Sequence, residues 1–147
     1  MDLGAFLTGT TPLFSDVALL VGRVAIGVCF MFHAFGKLGI IGDGNLDGFG
    51  KWLEDLGVPM PQLQARMAML SELVGGAALA LGLVTRPACV VLIGTMIVAG
   101  AVGHRGAGYM ITNDPPGAEY TINLAVICGM FLLLGPGAIS LDAILFG

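Results

Sequence analysis

The sequence predicts an all-α fold: an integral membrane four-helix bundle with an additional interfacial amphipathic helix in its first loop. Three observations predict it. Hydrophobic residues fill 56% of the chain and charged residues only 11%, against roughly 25% charge in soluble domains, so there is too little polar side chain to cover a globule. Four apolar runs approach the roughly 20 residues that a helix needs to cross about 30 Å of hydrocarbon. None of the four shows the charged stripe at helical spacing that a soluble amphipathic helix would carry. A single domain, 1–147, holds them, with spans at about 17–38, 62–83, 86–104 and 118–135 and the interfacial helix at about 46–56. The net charge of −4 offers no basic stripe, which excludes nucleic acid as a partner.

Taken in order, residues 1–16 read as a short interfacial lead-in. The first run, VALLVGRVAIGVCFMFHAF (17–35), holds Arg23 and His33 as its ionisable side chains apart from Cys29. With no basic segment before it and no small-residue cleavage site ahead of a soluble domain, it reads as a span rather than a cleaved signal. In the connection that follows, Phe49, Trp52, Leu53 and Leu56 recur at helical spacing, with Lys51, Glu54 and Asp55 on the other side. That pattern is an amphipathic helix at the interface with Trp52 at headgroup depth, stopped at Gly57, Val58 and Pro59.

The second run, LQARMAMLSELVGGAALALGL (63–83), carries Arg66 near its start and Glu72 near its middle. Its Gly75, Gly76, Ala77, Ala78, Ala80 and Gly82 allow another helix close, and Gly76 and Ala80 have the small-xxx-small spacing. A tight turn, GLVTRP, leads into ACVVLIGTMIVAGAV (88–102), which has no formal charge and takes Arg86 and Pro87 into its first turn. GHRGAGYMITNDPPGAE reads as an ordered loop, and its proline pair ends any helix ahead of YTINLAVICGMFLLL (120–134). An even number of spans puts both termini on one side, the terminal face. The two longer loops lie on the other, the loop face.

The least lipid-compatible residues gather toward the loop face. His33 and Lys37 close the first span, and His104 closes the third. Glu72 lies about two and a half turns deep at about 1.5 Å of rise per residue. Glu119, Tyr120 and Asn123 open the fourth span, Glu119 and Asn123 sharing one side. A charge buried in hydrocarbon costs several kcal/mol, so such residues demand a partner or a function. Glu72 and His33 are therefore the candidate catalytic, proton-handling residues. Lys37, Trp52, His104, Glu119, Tyr120 and Asn123 are the candidate ligand-binding residues. The structural alternative is an ion pair from Glu72 to Arg23 or to Lys37 that locks the first two spans, with Lys37 otherwise snorkelling and His104 and Tyr120 simply interfacial. Cys29, Cys89 and Cys128 lie in three different runs without a CxxC, which fits packing cysteines better than a disulfide relay. Scattered methionines and two histidines lack metal-ligand spacing, and no haem, flavin or metal is indicated.

Four stretches, RVAIGVCFMFHAFGKL (23–38), GFGKWLEDLGVPMP (48–61), SELVGGAALALGLVTRPA (71–88) and EYTINLAVICGMFLLLGPGAISLD (119–142), together resemble the DoxX-like family of small four-helix membrane proteins. The most specific part is H-x-x-x-K at the end of the first helix combined with E-L-x-G-G inside the second, and the family pattern is kept at Arg23, His33, Lys37, Glu72 and Arg86. The resemblance implies partnership in membrane redox systems: a thiosulfate:quinone oxidoreductase subunit, complexes handling thiol and superoxide stress, and proteins of catechol or hydroquinone resistance.

Joined to the residues, this yields an expectation. The chain is a membrane subunit of a redox system that binds a quinone or similar amphipathic redox ligand in a loop-face pocket roofed by the Trp52 helix. Glu72, with His33 relaying to the surface, supplies protons, and Lys37 or Tyr120 polarises a carbonyl. With no flavin, haem or dithiol motif visible, electrons come from a redox protein partner or a larger membrane complex. The alternative is a non-enzymatic membrane anchor or assembly subunit whose polar cluster is structural. A third and weaker reading, transport of a small solute or metal, would require a homo-oligomer, because four short helices in one monomer rarely enclose a path. The expected place is a bacterial or archaeal cytoplasmic membrane.

Overall fold

The computed structural model describes residues 3–4 and 9–147, and all regular structure among them is helical. The six helices that order the fold are α1 (Pro12–Lys37), α2 (Leu46–Asp55), α3 (Pro61–Leu81), α4 (Thr85–Gly103), α5 (Glu119–Leu134) and α6 (Leu141–Phe146). Helix α1 starts earlier than expected because Thr11 caps it, its hydroxyl accepting from the Phe14 N–H at 3.3 Å, with Pro12 at the first helical position. From Pro12 onward the supposed lead-in is thus part of the helix; residues 1–2 and 5–8 of it lie outside the described residues. Two helices, α1 and α4, are long and apolar enough to cross a membrane. Helix α3 has 21 residues but carries Arg66 and Glu72, and α5 has 16.

Helix α1 packs along α3, α3 along α4, and α4 along α5, while α2 lies against α3 and α1 meets α5 only sparsely. The tightest approach is glycine on glycine. A Cβ on Gly27 would collide with the Gly76 carbonyl oxygen and sit 2.7 Å from the Ala80 nitrogen; one on Gly76 would sit 2.7 Å from the Gly27 oxygen. The Gly76 and Ala80 pair is therefore where α1 crosses, backbone against backbone, as small residues permit. Phe30, Leu79, Cys89, Leu92, Met96, Leu124, Cys128 and Phe131 form the core around it. The outer surface is apolar too. Phe14, Val17, Val21, Val24, Val28 and Phe32 run down the exposed side of α1, opposite its buried Arg23, Gly27, Phe30 and Ala34. Exposed Leu63, Met67, Leu70 and Val74 do the same on α3, and Ile122, Val126, Met130 and Leu133 on α5.

At the terminal face, the chain after α5 folds back over the α3–α4 turn. Arg23 is fully buried there and donates to the Ile139 carbonyl at 2.6 Å and, through its other terminal nitrogen, to the Leu79 carbonyl at 3.4 Å. The Arg23–Glu72 ion pair expected as one alternative does not form. Arg23 lies level with the last turn of α3, where the Leu79 carbonyl accepts from it as well as from the Gly82 N–H, while Glu72 is bonded to Lys37. The turn is pinned by Asp142, whose carboxylate accepts from the Val84 N–H at 2.6 Å and the Thr85 N–H at 2.9 Å. Those amides open α4, where an anion is favoured. Burial pushes the Asp142 carboxyl up, but the hydrogen bonds at Thr85 and Val84 and the nearby Arg23 guanidinium outweigh it and hold it below the usual carboxylate range. Gly82 makes the turn with φ +65, and a Cβ there would collide with the Arg23 guanidinium.

Two outcomes follow from this packing. Gly27→Val should lower stability by about 1–3 kcal/mol through overpacking, whereas Gly129→Ala, whose Cβ meets nothing within 4 Å, should be neutral or stabilising by up to about 1 kcal/mol. Unfolding midpoints in detergent check the pair; equal behaviour would refute the crossing. For Asp142, the folded pKa is depressed, so its contribution is fully present above the ordinary carboxylate value and is lost as pH falls from there through the lower folded value. Asp142→Asn should accordingly be less stable than the parent near neutrality, and the gap should close on acidification below about pH 4.

Candidate functional site

At the loop face, the short helix α2 is laid across the others. Asn45 starts it, its side chain accepting from the Gly48 N–H at 2.7 Å. Gly50 and Leu53 are buried, Gly50 against the Gln62 side chain of α3. Trp52 reaches over to α4, where a Cβ on Gly103 would lie 2.8 Å from its indole ring. Phe49 stacks on Trp52 with centroids 5.7 Å apart. Beneath this aromatic roof is a cavity of about 600 Å³.

Its walls are mostly apolar or small, with Met67 and Ala68 from α3 and Val91, Gly94 and Val98 from α4. The polar groups come from four helices: His33 and Lys37 of α1, Glu72 of α3, His104 at the end of α4 and Tyr120 of α5. Lys37 donates to Glu72 at 2.5 Å, their side chains only 18% and 4% exposed. The same ammonium lies 5.2 Å from the Phe49 ring centroid, within cation–π range. His33 stacks on Tyr120 at 5.0 Å, and the Tyr120 hydroxyl is 2.7 Å from the Cys29 sulfur. Side chains thus close the seam that the backbones of α1 and α5 leave open. Lower down, the Ser71 and Thr95 hydroxyls join α3 to α4 at 2.8 Å.

The structure therefore brings Glu72, His33, Lys37, Trp52, His104 and Tyr120 to one cavity. Glu119 and Asn123 are not there. Glu119 accepts from the Ile111 N–H at 3.0 Å, and Asn123 accepts from the Tyr109 hydroxyl at 3.1 Å. Both face the loop that precedes α5, whose donors need acceptors, and they brace it. His104 does part of the same work, its Nδ1 lying 2.7 Å from the Pro116 carbonyl oxygen. Ser71, Thr95 and Gln64 also line the cavity. Sequence reasoning passed over them, because a lone hydroxyl or amide in an apolar helix carries no charge to mark it. Among the described residues, no three His, Cys, Asp or Glu side chains converge as a metal site.

The DoxX family model matches residues 18–105, more than half of the chain. Inner membrane protein YphA of Escherichia coli (strain K12) is 36% identical over 132 residues, covering 86% of this chain and 89% of that protein. Inner membrane protein YqjF of the same organism is 27% identical over 132 residues, covering 88% and 93%. No solved structure matches the chain. The chain belongs to the DoxX family and is an integral membrane protein, in agreement with the prokaryotic cytoplasmic membrane expected from its sequence. The matched region includes His33, Lys37, Trp52, Glu72 and His104, whereas Tyr120 lies beyond it.

The buried pair has a measurable consequence. Lys37→Met leaves the Glu72 carboxylate buried without its partner and should cost about 3–5 kcal/mol. Adding Glu72→Gln removes the stranded charge and should restore much of that loss. Denaturation in detergent micelles reads both, and a double variant no more stable than Lys37→Met would contradict the pairing.

Proposed function

We propose that this DoxX-family chain is a four-span membrane subunit of a redox system, and that the cavity beneath α2 binds the head of a quinone or a similar amphipathic redox ligand from the bilayer. The outward apolar stripes of α1, α3 and α5 support four spans, because a helix apolar on both sides suits lipid. The charges on α3 are compatible with that reading: Arg66 lies near its loop-face end, and Glu72 is paired.

The observation that carries the ligand reading is the composition of the cavity. Its volume of about 600 Å³ falls in the range of small-molecule sites. Apolar walls on α3 and α4 suit a ring and its tail, while ammonium, carboxylate and imidazole converge at the α1 side. Reduction of a quinone to a quinol consumes two electrons and two protons. Lys37 is the donor suited to a carbonyl oxygen on which negative charge grows, and Glu72 with His33 are the groups suited to hold protons. The electrons come from a redox protein partner. The competing reading, an anchor whose cluster is purely structural, draws on the same Lys37–Glu72 contact, since that pair also ties α1 to α3.

Purification in mild detergent followed by lipid extraction separates the two. Quinone near one per chain in the parent, and strongly reduced in a folded Glu72→Gln variant, is the expected result. Quinone in neither, with a variant that falls apart, would overturn the ligand reading in favour of the anchor.

A further inference from the structure

A second hollow adjoins the cavity. It is an open groove of about 620 Å³ between the end of α1 and the residues that lead into α2. Gly36, Asp43 and Asn45 line the groove and not the cavity, whereas His33, Lys37 and Phe49 line both. The two hollows differ in chemistry. Glycine backbone, the Asp43 carboxylate and the Asn45 amide border the groove beside the apolar Phe32, Ile41 and Phe49, and the stretch 41–45 that carries the polar part is exposed throughout. Glu72 borders the cavity only, so whatever enters the groove meets Lys37 and His33 first. Lys37 borders both hollows, its ammonium between the Glu72 carboxylate and the Phe49 ring.

We propose that this groove is the aqueous proton entrance of the ligand cavity, with Lys37 and His33 as the partition between water and Glu72. The proposal rests on the cavity taking a ligand that needs protons. A proton passes from groove water to the His33 imidazole and from there to the Glu72 carboxylate. One positive charge moves inward, the carboxylate is neutralised, and no electron is transferred. Protonation of Glu72 also removes the charge that clamps Lys37, whose ammonium is then free to turn toward a ligand oxygen in the cavity. Of the other titratable groups facing the cavity, Tyr120 on α5 is bonded to Cys29 and His104 on α4 to the Pro116 carbonyl. Helix α2 contributes only Phe49, Trp52 and Leu53 to the lining. Ligand and protons then arrive from different sides: the ligand past α4 at Gly94, the protons past Gly36.

Two leucine substitutions test this, each filling one hollow. A Cβ on Gly36 has the Ile41 oxygen at 3.9 Å as its nearest neighbour, and one on Gly94 meets nothing within 4 Å. Both positions are helical and neither borders the other hollow. In nanodiscs, time-resolved infrared spectroscopy after a drop in pH follows the Glu72 carboxyl band, assigned by its loss in Glu72→Gln. Gly36→Leu should slow its appearance several-fold while bound quinone stays at the parent level. Gly94→Leu should deplete bound quinone and leave the rate unchanged. Should Gly36→Leu fail to fold, Gly36→Ala, a smaller plug, should still slow the band measurably. A parental rate in the Gly36 variants, or a rate slowed by Gly94→Leu instead, would overturn the proposal. The rate needs no quinone, so a parent that carries none defeats the ligand reading alone and leaves the route to be judged by the rate.

Discussion

Where Gly27 meets Gly76, two helix backbones touch with no side chain between them, and that contact sets the register of α1 against α3. Because the helices run in opposite directions, residues after Gly27 on α1 face residues before Gly76 on α3. One side of the crossing thus delivers Lys37 to Glu72, and the other delivers Arg23 to the Leu79 carbonyl. A side chain at either glycine would push the helices apart and draw the charged groups away from their partners. In lipid, stranded groups have no water to fall back on. Small residues at the crossing and charged residues at the two ends are therefore one device.

The two ends put their charges to different uses. At the terminal face the charges hold backbone: Arg23 donates to backbone carbonyls, Asp142 accepts from the amides that open α4, and Asp16 accepts from the Ala138 N–H at 2.8 Å. Arg23 and Asp16 tie the returning chain to α1, and Asp142 ties it to the α3–α4 turn. At the loop face, Lys37, Glu72, His33 and Tyr120 are bonded or stacked among themselves and also border a cavity. A brace can be packed solid. The presence of apolar space beside this pair, under an aromatic roof, is what distinguishes it from the lock at the opposite end.

Much of this arrangement was legible in the sequence, for identifiable reasons. The spacing of Gly76 and Ala80 marked the crossing because close approach needs small residues and little else. The period of Phe49, Trp52 and Leu53 marked α2 because one side of it must rest on the protein. Charge in an apolar run drew attention to Glu72 and Lys37. What escaped was geometry that composition does not encode. The partner of Arg23 is a carbonyl at residue 139, supplied by chain that returns from far along the sequence. Glu119 and Asn123 share a helical side, but that side faces the loop's donors rather than the cavity. The start of α1 depended on a threonine cap ahead of a proline. The groove beside Lys37 is shaped by glycine backbone, which leaves no pattern of side chains to read.

The central claim is that an amphipathic quinone sits under the Trp52 roof with its head toward Lys37 and Glu72. Photoaffinity labelling in native membranes with a quinone that carries its reactive group on the ring, followed by mass spectrometric mapping, tests it most directly. Labels on Trp52 or Met96, competed away by unmodified quinone, are the predicted result. Labels confined to outward residues such as Val21 and Leu133, without competition, would show that quinone meets this chain only as part of the surrounding lipid, and would contradict the claim.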